Sequence, residues 1–256
     1  MAASERPVRR GALPAHTARR IMRDFLDRGL RPGDALAGEA TLVERYGVSR
    51  GTLREALRLL THLGAVTVKV GPFGGPRLTT PGPDVVGSAL GMVVQFRGAT
   101  LQTVFEARLA IDPAVAALAA VHRDDTDLAA LDASVAALAS AQQRRGPQYA
   151  KLAGRHMVRV AEASHNAMLA TIVPALAAMH ASVPWRYPAG SRVELTERVQ
   201  ASVEAIRMQD AEAASEITRS MLTLLIEDIA SNQRPQLESP ILWPDVDEVV
   251  SGTDGD

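Results

Sequence analysis

Residues 39–64, EATLVERYGVSRGTLREALRLLTHLG, are the stretch that decides the fold of the N-terminal part of the chain. They predict a helix, a four-residue turn and a second helix. Gly47 allows the sharp turn between the helices, and Val48 can pack into the core beneath it. The second helix has an apolar side, because five apolar residues recur at helical spacing: Leu53, Ala56, Leu57, Leu60 and Leu63.

The other side of the second helix carries hydroxyl and basic side chains, namely Ser49, Arg50, Thr52 and Arg54. Short hydroxyl side chains at a helix N-terminus can cap the helix or bind phosphate. Arg50 and Arg54 lie four residues apart and therefore project from one face, where a guanidinium can bind base edges in a DNA groove. We expect this face to bind double-stranded DNA.

Two short strands are predicted after the second helix, over residues 65–70 and 77–80. The sequence GPFGGP, at 71–76, separates them and favours a hairpin wing. Arg77, or the backbone of Gly74 and Gly75, is predicted to contact a phosphate or the minor groove.

Residues 32–66, PGDALAGEATLVERYGVSRGTLREALRLLTHLGAV, closely resemble the winged helix-turn-helix of GntR-type bacterial transcription regulators. The resemblance extends over about residues 13–80 and implies a homodimer that binds a short inverted repeat. One position departs from the family pattern, because Ala40 stands directly after Glu39 where many members carry Arg. A usual DNA contact is therefore missing, and we expect the operator sequence or the affinity to differ.

The distribution of charge agrees with DNA binding. Residues 1–80 contain 14 Lys and Arg against 7 Asp and Glu, whereas residues 81–256 contain 14 against 22. The total of −1 therefore hides a basic module with a net charge of +7. Neutralisation of phosphates supplies much of the affinity for DNA and steers the encounter.

Length and composition limit the class of protein. At 256 residues the chain can form two domains, each with its own core. No apolar run reaches the ~18 residues of a membrane span, and the basic residues 1–11 lack the apolar stretch of a secretory signal. We expect a cytoplasmic protein that binds no membrane. The absence of cysteine excludes disulfides, thiolate metal sites and thiol catalysis.

The C-terminal part is predicted to be an antiparallel helical bundle, so that the whole protein is mainly α. Asp84 can cap a helix that begins at Val85. Apolar residues at three- and four-residue spacing predict helices at 84–97, 100–122, 125–145, 148–165, 167–182, 191–209 and 211–233.

The predicted order has five parts. They are a basic flexible arm (1–12), the winged helix-turn-helix (13–80), a linker (81–85), a helical effector-binding and dimerisation domain (86–233), and an acidic, disordered tail (234–256) in which Leu242 and Trp243 are candidates for docking.

Three segments of the helical part, 104–120, 155–169 and 199–222, resemble the FCD ligand-binding domain of the FadR subfamily. That resemblance implies a divalent metal held by one Asp and three His. Aligned residue by residue, the ligand positions are Ala153, Met157, Val199 and Met221. None of these side chains can replace a carboxylate or an imidazole, so we predict no metal and no other cofactor.

The resemblance also implies that Arg108 reaches the ligand pocket, where its planar fork can bind a carboxylate or a phosphate. Alternatively, Arg108 pairs with Asp112 or Glu106 on its own helix. The predicted effector is a small organic acid or an acyl thioester with a substantial hydrophobic portion. The candidate effector-binding residues are Arg108, Ala153, His156, Met157, Val199 and Met221.

His156 and His165 cannot chelate a metal together, because nine residues place them on opposite faces of a helix. The remaining histidines are interpreted as surface or hydrogen-bonded residues. No nucleophile elbow, phosphate-binding loop or His-Glu-x-x-His helix is present, so no catalytic apparatus is visible.

The sequence therefore predicts a dimeric regulator of the GntR type, a repressor that an effector releases from DNA. A metal-dependent FCD regulator of small carboxylic acid metabolism is one alternative. A helical enzyme or scaffold is the other.

Overall fold

The computed structural model describes residues 13–69, 75–143, 147–183, 186–187 and 190–242. The chain divides into two compact units, Met1–Val85 and Val86–Asp256. The described part of the N-terminal unit contains helices and a small antiparallel sheet, in the order α1 Leu13–Asp27, α2 Glu39–Tyr46, α3 Arg50–His62, β1 Val66–Lys69 and β2 Gly75–Leu78. The predicted mainly α fold with a small β wing is confirmed.

The turn between α2 and α3 forms as the sequence predicts. Gly47 adopts the left-handed conformation, with φ of 63°, which residues with a side chain rarely adopt. Its N–H donates to Val43 O and Glu44 O and so closes α2. Ser49 then caps α3, because its Oγ accepts a hydrogen bond from Thr52 N–H at 3.1 Å.

The core of the N-terminal unit is formed by one side of each helix and by the wing. Leu53, Ala56 and Leu60 of α3 are buried as predicted, and Leu57 is half-buried. Leu63 is exposed. It follows the last residue of α3, His62, so its side chain no longer continues the apolar side of the helix.

The strands differ slightly from the predicted ones. β2 begins at Gly75, two residues before the predicted start, and pairs antiparallel with β1. Leu78 N–H donates to Asp34 O at 3.0 Å, so the loop before α2 adds a short third segment to the wing. Val70 and Gly74 lie outside the described residues.

The C-terminal unit is a bundle of helices. Their bounds are α4 Pro83–Phe96, α5 Leu101–His122, α6 Asp125–Ala141, α7 Gln148–Ala163, α8 Leu169–Ala181, α9 Ser191–Arg207, α10 Ala211–Asn232 and α11 Arg234–Leu237. α10 packs against α5 and α9, and α7 packs against α5, α6 and α8. None of the described helices is long and apolar enough to span a membrane.

Two predicted boundaries are wrong. α4 begins at Pro83, so residues 83–85 are helical rather than part of a linker; proline is well tolerated at a first helical position, where its missing N–H costs nothing. The predicted cap by the Asp84 side chain lies outside what the structure describes. α6 ends at Ala141 rather than at 145, and residues 144–146 are outside the described part.

The prediction of a disordered tail from residue 234 is wrong for residues 234–242. Leu237 and Ile241 are buried in the bundle core. The backbone also pairs with the chain before α5, since Ile241 N–H donates to Ala99 O at 2.9 Å and Leu101 N–H donates to Ser239 O at 3.1 Å. The acidic composition of residues 234–256 predicted disorder. Composition does not detect this anchoring, because it depends on only two apolar residues, Leu237 and Ile241, and on two backbone hydrogen bonds. Leu242 is half-exposed, and Trp243 lies outside the described residues.

Candidate functional site

The exposed side of α3 is the candidate DNA-binding surface. Arg50, at the first position of the helix, and Arg54, one turn later, are both exposed. The hydroxyls of Ser49 and Thr52 lie 2.9 Å apart, and the cap also occupies the Ser49 hydroxyl. In this chain the hydroxyl groups therefore shape the end of the helix and leave the two arginines to project from it.

The two arginines differ in their surroundings. Arg54 Nε donates to Glu39 Oε1 at 2.9 Å, which links α3 to the first residue of α2. Arg58, one turn further along, pairs with Glu55 at 3.1 Å. No hydrogen bond or ion pair of the described residues engages the Arg50 guanidinium, which makes Arg50 the more readily available of the two predicted contacts.

Arg77 has a structural partner in the wing. Its Nη1 donates to Gly33 O at 2.9 Å, and its backbone forms an antiparallel bridge with Ala35. Arg77 thus holds the wing against the loop before α2. Gly75, at the start of β2, has φ of 126°, a backbone conformation that favours glycine.

The sequence did not reveal a cluster that ties α1 to α2. Tyr46 OH donates to Asp24 Oδ2 at 2.8 Å, and Arg45 lies 3.6 Å from the same oxygen. The hydrogen bond from Tyr46 lowers the pKa of Asp24, while burial and the Asp24 carboxylate raise the pKa of Tyr46 to about 12. Arg20 Nη1 donates to Tyr46 O at 3.2 Å and lies over the tyrosine ring.

The second candidate site is a cavity of about 30 Å³ inside the helical bundle. All six residues that the sequence proposed for effector binding line it: Arg108, Ala153, His156, Met157, Val199 and Met221. The polar side of the wall is completed by Tyr149, His180 and Tyr187, which no sequence pattern indicated. These residues come from different parts of the chain, so no local pattern connects them.

Arg108 reaches the cavity and also forms the ion pair with Asp112 that was the alternative. Its Nε and Nη2 each lie 2.9 Å from the same oxygen, Asp112 Oδ2. The side chains are 7% and 0% exposed, so both charges are nearly or fully buried. Burial raises the pKa of Asp112, and the guanidinium opposes that shift. Asp112 Oδ1 is buried and has no hydrogen-bond partner among the described residues.

Burial favours the neutral form of the two imidazoles of the wall. His156 Nδ1 lies 2.7 Å from Ser134 Oγ, whose hydroxyl hydrogen is donated to Leu131 O, so Nδ1 carries the proton and donates to Ser134. Burial lowers the pKa of His156 to about 4. His180 packs edge-on against Phe105, and burial, with a smaller contribution from the charge of Arg108, lowers its pKa well below the usual value.

Family models match both units of the chain. The model for bacterial regulatory proteins of the gntR family matches residues 13–72, and the model for the FCD domain matches residues 103–224. The chain belongs to the GntR family and carries an FCD domain. This confirms the resemblance seen in the sequence.

Relatives of this GntR-family chain include named regulators. The HTH-type transcriptional regulator Mce2R of Mycobacterium tuberculosis is 35% identical over 127 residues, 49% of this chain and 52% of that protein, so the chain spans about half of its length. The galactonate operon transcriptional repressor of Escherichia coli is 27% identical over 199 residues, 75% of this chain and 85% of that protein.

An experimental structure shares the fold of the chain. It is the GntR protein of Streptococcus agalactiae, with a TM-score of 0.68 and 23% identity, and the match covers 84% of this chain and 99% of that one. At this identity the likeness shows the fold alone.

The metal that the FCD domain implies does not fit the side chains of this GntR-family cavity. The four aligned ligand positions do meet at the cavity, but Ala153, Met157, Val199 and Met221 offer only methyl groups, methylenes and two thioethers. A thioether is a soft, neutral donor, and two thioethers are a poor substitute for the carboxylate and imidazoles of the implied donor set. His156 and His180 remain, without a carboxylate among the lining residues.

Elsewhere in the bundle, Asp124, Asp127 and His165 each place one possible ligand atom within 4.8 Å of the others. The two carboxylates form a capping box at the start of α6, with hydrogen bonds of 2.9 Å. His165 Nε2 lies 2.7 Å from Asp127 Oδ2. Capping and ion pairing account for this group, and we assign no metal to it.

Proposed function

We propose that the protein is a sequence-specific DNA-binding transcription regulator, a dimeric repressor that is released by an organic effector bound without metal in the helical domain. The observation that carries the proposal is α3, a Ser49-capped helix that presents Arg50 and Arg54 from one face. In helix-turn-helix proteins this second helix enters the major groove with its N-terminal residues toward the bases.

The DNA-binding proposal is tested by mixing the purified protein with fragments of its own genomic DNA and recovering the fragments that it binds. Sequencing the retained fragments should reveal a short inverted repeat, and affinity for a duplex with that repeat should fall steeply with salt. Arg50→Ala should bind the repeat more weakly and relax the preference at one base pair of it. An absence of enriched sequences, together with no binding to duplex DNA at low salt, would contradict the proposal and favour a scaffold or an enzyme.

Repression is supported by the galactonate operon transcriptional repressor, a relative over most of the chain. A reporter gene placed behind the recovered operator tests the sign of regulation. Expression should fall when the protein is present and recover with the effector. If expression rises when the protein is present, the protein is an activator and the proposal of a repressor is wrong.

The effector proposal is based on the cavity, which has a polar side that contains Arg108 and an apolar side. Arg108 uses Nε and Nη2 for a single Asp112 oxygen, and its Nη1 can donate to a carboxylate or carbonyl oxygen of a ligand. Met157, Val199 and Met221 form an apolar wall suited to an acyl chain. Burial favours the neutral forms of His156 and His180, so the positive charge that these lining residues offer an anionic ligand is that of Arg108.

The size of the cavity implies that the effector must enlarge it. About 30 Å³ holds one or two water molecules, whereas pockets for small organic ligands measure roughly 300–1,000 Å³. Methionine is unbranched and adaptable, so Met157 and Met221 can re-pack around a larger ligand. Because such a ligand binds the expanded bundle better than the closed one, it can shift the equilibrium between them and lower operator affinity.

Calorimetry with a set of acyl thioesters and carboxylic acids of increasing chain length tests the site. Affinity should increase with the apolar portion in the wild-type protein, and Arg108→Ala should abolish both binding and the release of DNA while sparing DNA binding by the free protein. Arg159→Ala, an exposed arginine of α7, is the matched control. Equal affinities in the wild type and Arg108→Ala would rule out Arg108 as the anchor.

A further inference from the structure

The half-buried hydroxyl of Ser134 fixes which nitrogen of His156 carries the proton. Ser134, on α6, places its Oγ 2.7 Å from Leu131 O and 2.7 Å from Nδ1 of His156, on α7. A carbonyl oxygen cannot donate, so the first contact uses the one hydroxyl hydrogen of Ser134. The second contact then needs a hydrogen on Nδ1. Because burial favours the neutral imidazole, Nε2 carries no proton and is a hydrogen-bond acceptor.

The acceptor Nε2 of His156 belongs to the wall of the cavity. Since Nδ1 is turned toward Ser134 on α6, Nε2 lies on the far side of the ring. No hydrogen bond of the described residues engages Nε2, and Nε2 is not among their fully enclosed polar atoms that lack a partner. His156 is only 3% exposed, so the space that Nε2 contacts is that of the cavity, which His156 lines.

Arg108 and His156 require opposite hydrogen-bonding groups of a ligand. Arg108 can only donate, so it binds a carboxylate or carbonyl oxygen. Nε2 of His156 can only accept, so it binds an N–H or O–H group. The hydroxyl of Tyr149 is engaged elsewhere, because it lies 3.1 Å from Arg192 O and 3.0 Å from Thr196 Oγ1. A ligand that uses both Arg108 and His156 therefore carries an acceptor and a separate donor.

We propose that Nε2 of His156 binds a neutral hydrogen-bond donor of the effector, a hydroxyl or an amide N–H, and that Ser134 is the positioning residue for this contact. The inference rests on the proposed function, in which Arg108 anchors the acid or carbonyl end. A positively charged ammonium group is disfavoured, because it would enter a buried site beside the Arg108 guanidinium. The effector is therefore an acyl acid or thioester with a hydroxyl or amide group along its chain.

A ligand without such a donor loses affinity. The cavity of about 30 Å³ has room for one or two water molecules, and a water there can donate to Nε2. A ligand that displaces this water without a donor of its own leaves a buried acceptor unsatisfied. A keto oxygen at the same place is also unfavourable, because it is a second acceptor. The site should therefore distinguish a hydroxy acid from the keto acid and the saturated acid of the same length.

Matched ligands test this preference by calorimetry. The probes are the saturated acid of the chain length that binds tightest in the series above and its hydroxy and keto derivatives at successive carbons. Acids of the same length with an amide in the chain are compared with their ester analogues, which lack the N–H. For at least one position, the hydroxy acid should bind the wild-type protein about tenfold or more tighter than the keto and saturated acids, or the amide than the ester.

Ser134→Ala tests whether Ser134 sets the proton position. Without Ser134 Oγ, the Nδ1–H group loses its acceptor, so the proton can move to Nε2, which then donates. The preference for the hydroxyl or amide donor should fall by about tenfold or more. Ser140→Ala is the matched control and should keep the preference. Ser140 also lies on α6 and donates to Ala137 O at 2.8 Å, as Ser134 does to Leu131 O, but no histidine of the described residues contacts it.

Nitrogen NMR of the protein without ligand gives a readout that a merely structural role of Ser134 would not change. Nδ1 of His156 should have the chemical shift of a protonated nitrogen and Nε2 that of an unprotonated one, in the wild type and in Ser140→Ala. In Ser134→Ala the two shifts should exchange or converge. His156→Gln identifies the signals by their loss.

Each other outcome overturns a stated part of the inference. A protonated Nε2 in the wild type overturns the inference as a whole, and unchanged shifts in Ser134→Ala overturn the role of Ser134. If the wild type binds all matched probes equally but Arg108→Ala abolishes binding, the contact to His156 is wrong while the effector proposal stands. A wild type that binds none of the acids or thioesters overturns both.

Discussion

The guanidinium of Arg54 donates from Nε to Glu39 Oε1 at 2.9 Å, so an arginine of α3 is held by the first residue of α2. Both side chains are more than one-third exposed. Such a pair contributes little to stability, but it orients Arg54 and places a carboxylate at the candidate DNA-binding surface. To bind a base, as we propose, Arg54 would have to share or exchange this partner.

The first prediction concerns the two arginines. Arg50→Ala and Arg54→Ala should each weaken operator binding by about 1–3 kcal/mol and relax the preference at one base pair, because a guanidinium that binds guanine loses that contact. Competition assays with single-base variants of the operator measure this. Arg58→Ala, with its arginine paired to Glu55, is the control and should have a smaller effect. A loss that is uniform across sequences would assign the residue to phosphate contact instead.

The second prediction concerns Glu39. Glu39→Gln should tighten binding to DNA, because it removes a negative charge near the phosphates and frees Arg54. Stability should change by no more than about 0.5–1 kcal/mol, as for other exposed ion pairs. Anisotropy titrations at several salt concentrations test the first effect, and thermal unfolding tests the second. Weaker binding by Glu39→Gln would show that orientation of Arg54 matters more than charge.

The third prediction concerns the buried pair. Asp112→Ala should destabilise the bundle by about 3–5 kcal/mol, because it leaves the Arg108 charge buried and unpaired. Replacing both, as in Arg108→Met with Asp112→Leu, should cost less than Asp112→Ala alone. Urea unfolding measures these changes. The exposed pair Arg159 and Glu162 is the control, with an expected coupling below about 1 kcal/mol. If the buried pair and the exposed pair have similar coupling free energies, burial does not determine the cost of breaking the Arg108–Asp112 pair.

The fourth prediction concerns pH. Burial lowers the pKa of His156 from 6.5 to about 4, so between these values the unfolded chain binds a proton that the folded chain does not. The stabilising contribution is complete above about pH 6.5, falls as the pH decreases, and is lost by about pH 4, with a total of roughly 3 kcal/mol.

His156→Gln should flatten this dependence in urea unfolding between about pH 7.5 and 4.5, although His180 contributes in the same direction. His165→Gln, at an exposed histidine, is the matched control. A pH dependence that His156→Gln leaves unchanged would be inconsistent with a neutral, buried His156.

The fifth prediction concerns the metal. The purified protein should contain no stoichiometric zinc, nickel or manganese, and a chelator should change neither its melting temperature nor its affinity for DNA. The positive control restores the donor set with Ala153→Asp, Met157→His, Val199→His and Met221→His, which should bind one divalent ion per chain. One metal per wild-type chain, removed with a loss of stability, would contradict the prediction.

Sequence patterns predicted the parts of the fold that depend on local spacing. The turn at Gly47, the cap at Ser49 and the buried side of α3 follow from residues within one or two helical turns. The predicted helix boundaries were wrong where the helix propensity of the residues did not decide where a helix begins or ends, as at Pro83 and Ala141. The anchoring of Ile241 beside Ala99 was missed because the two residues are far apart in sequence.

The sequence also predicted only part of the candidate cavity. Alignment to a family pattern placed Arg108, Met157 and Met221 at one site, and they meet there. It did not reveal that His180 and Tyr187 share the wall, since neither belongs to the pattern. Nor did it choose between the two roles of Arg108, which lines the cavity and pairs with Asp112 at the same time.

By itself, the sequence determined the kind of protein: a basic winged helix-turn-helix joined to an Ala-rich helical bundle that resembles the FCD domain. These properties depend on residue type and on periodicity along one element, which a chain carries before it folds. Only the tertiary structure decided which charges are paired, as in Arg54 with Glu39, how small the cavity is, and which side chain bonds to His156. Those outcomes depend on distances between residues remote in sequence, and such distances exist only once the helices have packed.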